Sequence, residues 1–386
     1  MIKRRMLMIP GPIDVPGEVL EAMGGPVIAH YGADWVPIYR ETISLLQYAF
    51  CTQNWVLMFP GSGTTGLDAS VGSLLITGEK VLVLSNGSFG ERLVAISKSY
   101  QLEVHVLTSS SLRPTPVNQV EERLKEGGWQ AVLMVHHETS SGILNPVREV
   151  GTLCRRYGVP FIVDAVSSLG TVELNTDDWG IDLCVSASQK GLEAPPGLAL
   201  VAVSERAWKT MQEKAPTGHG FCLSLLTWRE YIERWGDWHP SVVTMPTNNI
   251  LALRASLLRL KEEGLDNRIA RYGRVSRAMR AGLRALGFEL LVKDEWASTG
   301  ITAVKSPQGI EPDDLRDYLL EKHNILIARG AGEWRQEALR IGHMGLGTQP
   351  DHLITFLLAL EDTLCHLGYP VARGSSLVGL SQLWEV

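Results

Sequence analysis

Cysteine is scarce in this chain of 386 residues, with Cys51, Cys154, Cys184, Cys222 and Cys365 as its whole complement. They are odd in number, widely spaced and form no C-x-x-C pair. Neither a disulfide framework nor a zinc site is expected, and a reducing cytoplasm suits them best. Long hydrophobic runs are also missing, so no membrane span is expected. The apolar run at residues 6–9 stops at Pro10, too short for a signal peptide. There is no excess of basic residues. With 36 Lys+Arg against 42 Asp+Glu the formal net charge is −6, which argues against a nucleic-acid partner. No internal repeat or low-complexity segment is present. What remains is 45% hydrophobic and 20% charged, the make-up of a globular enzyme with one large domain and a smaller one.

Seven short apolar runs rich in Val, Leu and Ile occur at 55–60, 80–84, 102–107, 131–135, 160–164, 181–187 and 198–203. Amphipathic segments of helical length lie between most of them, at 35–50, 64–77, 89–100, 117–126 and 147–158. Strand alternating with helix predicts an α/β fold with a mainly parallel sheet covered on both faces. After about residue 250 the pattern changes to helices at 249–263 and 266–287. Strand-like ELLVK, GITAVKS, ILIARG and ALRIGHM follow, with helices at 311–323 and 350–367. The division is a large domain over 1–262 and a smaller α+β domain over 263–386. The tail 369–386 carries no clear element, and is expected to pack on a neighbour or be loosely held.

In sheets of this kind ligands sit at the carboxyl ends of the strands. GSGTTG, residues 61–66, follows a strand and opens a helix, and it matches the dinucleotide pattern G-x-G-x-x-G. A dinucleotide site also needs an acid at the end of the next strand. That strand, KVLVL, ends in Ser85, Asn86 and Gly87. The loop is instead read as a phosphate cradle, with hydroxyls from Ser62, Thr64 and Thr65, or as a plain turn. FIVDAVSSLG puts Asp164 at the end of a buried strand, and SASQKGLEAPPG puts Lys190 at the end of the next. They could form a structural salt bridge or sit on a wet rim. Joined to the glycine loop, they read as a third thing. A lysine in a dry pocket attacks carbonyls to form a Schiff base. Pyridoxal phosphate needs that lysine, a phosphate cradle and a carboxylate against its ring nitrogen.

The ordered set PGP, GSGTTG, SNGSFGER, HHETSSGILNP, VDAVSSLG, SASQKGLEAPPG and ALRIGHMG resembles the class V aminotransferases, closest to the alanine–glyoxylate and serine–pyruvate group. The resemblance runs from about residue 6 to about residue 365. It implies the type I pyridoxal-phosphate fold, with a seven-stranded sheet and a homodimer whose active sites lie at the subunit interface. It implies that Lys190 bears the cofactor and then acts as the base at the substrate's Cα, while Asp164 holds the ring nitrogen. Val166 and Phe89 would flank the ring, and Thr139 would meet its phenolic oxygen. Ser62, Gly63, Thr64 and Gln189 would hold the phosphate, joined by Thr244 of the neighbouring subunit. Arg340 would grip the substrate α-carboxylate and Gly11 would line the substrate pocket. SVVTMP departs from the family pattern, since Ser241 stands where a Tyr is usual. Asn248 and Asn249 are either ordinary helix-start residues or adjust substrate choice. The expected reaction moves an amino group from alanine or serine to glyoxylate or pyruvate by a ping-pong route. The alternative is an (S)-ureidoglycine–glyoxylate transaminase. A cysteine desulfurase fits poorly because no suitable cysteine is evident.

Overall fold

A computed structural model describes residues 4–214 and 220–383. In chain order its strands are β1 (Met6–Met8), β2 (Trp55–Gly61), β3 (Lys80–Ser85), β4 (Glu103–Thr108), β5 (Ala131–Val135), β6 (His137–Glu138), β7 (Ile143–Leu144), β8 (Phe161–Asp164), β9 (Leu183–Ala187), β10 (Gly197–Val203), β11 (Ile301–Lys305), β12 (Ile325–Arg329) and β13 (Ala338–Gly342). The seven apolar runs of the sequence become one sheet, ordered β2-β10-β9-β8-β5-β3-β4. β4, β3, β5, β8 and β9 are parallel, while β10 runs antiparallel to both its neighbours. β5 and β9 are buried along their whole length. Their unbroken apolarity therefore reflects helices on both faces. β4, at the edge, alternates between exposed and half-buried.

The covering helices follow the same logic. In Val147–Arg156 the residues Val147, Val150, Leu153 and Cys154 form the buried stripe, and Arg155 and Arg156 close the last turn. Gly63–Leu74 starts directly after β2, with Ser62 as its N-cap residue. The long helix Thr247–Glu263 packs on Gly17–Met23 and Trp35–Phe50 and completes the larger core. Among the described residues no helix is long and apolar enough to cross a membrane.

A second sheet, β1-β12-β13-β11, carries the helices Leu265–Ala285, Pro312–His323 and Pro350–His366 around its own core. Its edge strand is β1, parallel to β12 with Met6 opposite Ile325. Three residues are too few to announce a strand in sequence; the partner 319 positions away makes it one. ELLVK is not a strand. It makes a single bridge, Leu290 to Val304, before Val292 turns into a small cluster with Ile143 and Ala303. The tail also differs from expectation. Its described part forms a 3-10 helix, Ser375–Leu383, packed on Leu265–Ala285 of its own chain. The buried Glu361 carboxylate anchors it, accepting from Gly374 N at 2.7 Å and Ser376 N at 2.8 Å.

Candidate active site

Four strand ends converge at one rim of the large sheet, and each delivers one functional group. β2 leads into the glycine loop, β5 into His137, β8 ends on Asp164 and β9 leads to Lys190. One cavity is lined by residues from all four.

Lys190 Nζ donates to Pro10 O. A Cβ at Gly11 would lie 2.7 Å from Lys190 Cε, and Gly11 has φ +134. Only glycine lets the N-terminal loop pass so close to the lysine. Gly11 thus contributes by lacking a side chain. Burial, and then the charge of Arg340, bring the Lys190 ammonium down from 10.5 to about 8. Asp164 is 5% exposed, and Val166 N donates to its Oδ1 at 2.9 Å. Burial pushes its carboxyl up from 3.8 to about 6, against the pull of Arg92 and Lys190. Each group is held by backbone rather than by the other, so the pair is no structural salt bridge.

The glycine loop is partly as expected. Thr65 turns its hydroxyl back to accept from Ser62 N at 3.1 Å, which fixes the loop and removes that hydroxyl from the cavity. Ser62, Gly63 and Thr64 line the cavity at the start of the Gly63–Leu74 helix. A Cβ on Gly63 would come 2.4 Å from Val166 Cγ2, so loop and strand end touch across the cavity floor. Gln189 lines the same space, its buried Oε1 without a protein partner. Phe89 forms another wall.

Arg340, on β13, reaches this region from the smaller sheet. Its Nε donates to Arg329 O at 2.8 Å and its Nη1 to Thr139 O at 3.1 Å. Two carbonyls orient the guanidinium without neutralising it. Among the described residues no carboxylate pairs with it. That is the state a carboxylate clamp requires. Burial lowers its proton affinity and the charge of Glu138 restores part of it. Thr139 is buried and meets Arg340 through its backbone.

Three residues in this region carried no expectation from sequence. Glu138, fully buried, accepts from Phe89 N and Gly90 N, both at 3.1 Å, and so caps the Ser88–Ser99 helix and aims Phe89. A lone carboxylate inside HHETSSG was the available signal. His137 lines the cavity with Nδ1 held by Ser167 O at 3.1 Å and Ser298 Oγ at 2.8 Å. Burial lowers it to about 3, which keeps it neutral. Arg92 lies one turn beyond Phe89, its guanidinium 4.8 Å from the ring centre and its Nη1 3.5 Å from Thr64 Oγ1. It brings a second arginine to the cavity.

Other expected residues stay outside. Thr244 is exposed and not part of this chain's cavity. Ser241 is fully buried with its hydroxyl unpartnered. Asn248 Nδ2 donates to Met23 O at 2.8 Å and Gly25 O at 2.9 Å, and Asn249 Nδ2 donates to Pro196 O at 2.8 Å. Both asparagines tie loops to the helix start and do not reach the cavity.

Comparison with known proteins identifies the family. A family model described as aminotransferase class-V matches residues 27–333. An uncharacterised aminotransferase of Methanocaldococcus jannaschii is 39% identical over 95% of this chain and 94% of its own. The alanine–glyoxylate aminotransferase of Callithrix jacchus is 33% identical over 95% of this chain and 89% of its own. The crystal structure of ureidoglycine–glyoxylate aminotransferase from Bacillus subtilis superposes with a TM-score of 0.94 at 29% identity, covering 100% of this chain and 99% of that one. By these matches the chain belongs to the class V aminotransferases.

Proposed function

We propose that the chain, with pyridoxal phosphate as its cofactor, transfers the amino group of a small amino acid, alanine or serine, to glyoxylate or pyruvate. The observation that carries this reading is Lys190. It is an amine of lowered proton affinity that feels the charges of a guanidinium with no carboxylate partner among the described residues, Arg340, and of a buried carboxylate, Asp164.

The lining of the cavity suits the cofactor in chemistry. Ser62, Gly63 and Thr64 line it at the start of the Gly63–Leu74 helix, where backbone N–H groups favour a phosphate. Ser62, Gly63, Thr64 and Gln189 would hold that phosphate, and Arg92 adds a cation beside Thr64. Phe89 and Val166 would flank the ring, and Thr139 would meet its phenolic oxygen. Asp164 has a single described donor, so a cationic ring nitrogen is the partner its burial calls for. When bound, pyridoxal phosphate supplies an electron sink for the pair released as the substrate Cα loses its proton. Lys190 Nζ would take that proton and return it at the neighbouring carbon, with Pro10 O holding it in place. Arg340 would bind the α-carboxylate, and Thr139 O would set its angle. His137, neutral, adds no competing charge.

Alanine and serine are favoured as donors because Arg340 is the carboxylate clamp and Arg92 sits beside the phosphate cradle. A second reading is the ureidoglycine–glyoxylate reaction, favoured by the full-length superposition on the Bacillus protein. We also propose a homodimer, which would bring the exposed Thr244 to the partner's phosphate site, in a reducing cytoplasm. The deciding experiment mixes purified, cofactor-loaded protein with single amino acids and ureidoglycine. Bleaching of the yellow form fastest by alanine or serine is expected. Fastest bleaching by ureidoglycine would support the second reading, and none at all would sink both.

A further inference from the structure

Glu193 lies three residues beyond Lys190 and is 2% exposed. It has φ +53, a left-handed conformation that a long side chain rarely adopts, so the surroundings must hold it there. Its amide donates to Lys190 O at 2.9 Å and closes the lysine's own turn. Its carboxylate leaves the large domain. Oε1 accepts from Tyr272 Oη at 2.9 Å and from Arg271 Nη2 at 3.2 Å, and Oε2 lies 3.8 Å from Arg268 Nη1. All three partners sit on the helix Leu265–Ala285. Glu263 holds the two arginines in turn, at 2.7 Å from Arg268 Nε and 2.7 Å from Arg271 Nε.

The contacts continue until they return to the lysine. Arg271 Nη1 donates to Thr348 Oγ1, and Gly345 N donates to Tyr272 Oη at 3.3 Å. These belong to the turn that follows β13, the strand of Arg340. Leu346 N of the same turn donates to Asp14 O at 3.2 Å in the N-terminal loop. That loop presents Pro10 O to Lys190 Nζ. Glu193 is therefore one link in a closed circuit that runs from Lys190 through the smaller domain and back to Lys190.

We propose that Glu193 is a positioning residue: its buried ion pairs fix the Lys190 turn against the smaller domain, so that the amine is held withdrawn from water and against Pro10. The proposal rests on the reading in which Lys190 is the reacting amine. Other charged or titratable groups facing Lys190 are Arg340 on β13, Asp164 on β8, Arg92 on the Ser88–Ser99 helix and His137 after β5. Glu193 acts through position and not through its field, and the two are separable by sign. Losing a nearby negative charge would lower the proton affinity of Lys190. Loosening the turn would raise it toward that of a solvated lysine.

The test compares wild type with Glu193→Gln and Tyr272→Phe. The first readout is the pH dependence of Lys190 acetylation in the cofactor-free protein, followed by mass spectrometry of its peptide. The midpoint is expected to rise by about one pH unit in Glu193→Gln and by less in Tyr272→Phe. In the loaded enzyme kcat is expected to fall about tenfold, with KM for alanine within twofold. A midpoint that stays or falls, with kcat intact and only thermal stability lost, would overturn the proposal. Should Glu193→Gln not fold, Tyr272→Phe decides by the same readouts. Failure of the transaminase reading looks different: wild type would bind no pyridoxal phosphate, while the acetylation midpoint would still report on Glu193.

Discussion

A buried carboxylate that gains too few donors on folding is destabilised as an anion, and Asp164 is such a group. Folding moves it from 3.8 to about 6. Because the folded value is the higher one, its contribution is fully present below pH 4 and is lost as the pH rises through 6. The difference corresponds to about 3 kcal/mol at neutral pH. The cofactor-free Asp164→Asn protein is therefore expected to be the more stable one at pH 7, with the gap closing toward pH 4, measured by urea unfolding. A gap independent of pH would show that Asp164 is not perturbed. Arg340 offers a second test at this scale. It already spends two donors on carbonyls and has charge to spare. Arg340→Gln is expected to raise KM for alanine by 30-fold or more, a cost of about 2–5 kcal/mol for a buried charge pair, with cofactor content unchanged. Loss of cofactor instead would make Arg340 structural.

At the scale of elements, close approach matters more than side-chain identity. The helix Gly63–Leu74 begins close to the residues that follow β8, with Gly63 against Val166. Valine is stiff and cannot swing aside. Gly63→Ala is expected to cost about 1–3 kcal/mol of stability by overpacking and to weaken cofactor binding at least tenfold. Urea unfolding and a pyridoxal-phosphate titration check the two halves; normal cofactor affinity would mean the glycine loop is not the binding surface. The seven strands and their helices were legible in sequence, since continuous apolar runs and 3.6-residue stripes are local properties. β1 was not, because three residues become a strand only beside β12. ELLVK had strand composition but formed only the one bridge, Leu290 to Val304, and composition cannot supply a ladder.

At the scale of the whole molecule there are two main cores, the larger built from residues 15–260 and the smaller from Met8 and the C-terminal part, and both contribute residues to the candidate site. Lys190, Asp164 and the glycine cradle belong to the larger one. Arg340 comes from the sheet of the smaller one, and the circuit through Glu193 crosses between them. Thr244 faces outward from its own chain, as do the large side chains Tyr31 (46% exposed) and Trp238 (53% exposed), 5.4 Å apart. A second copy is the partner expected on this surface. Sedimentation equilibrium is expected to give twice the chain mass of 42.5 kDa. A monomer that retains full activity would rule out a shared site.

The sequence by itself determined the sheet, the order of its strands along the chain, and the lysine, aspartate and glycine loop, because a buried strand followed by a polar residue is a local signal. Only the tertiary structure decided the state of those groups. Lowered proton affinity at Lys190 comes from burial and from Arg340, 150 residues away. Phe89 is aimed by Glu138, and Gly11 makes room for a lysine that follows it by 179 positions. Charge and excluded volume act through space, and chain order does not record which groups they bring together.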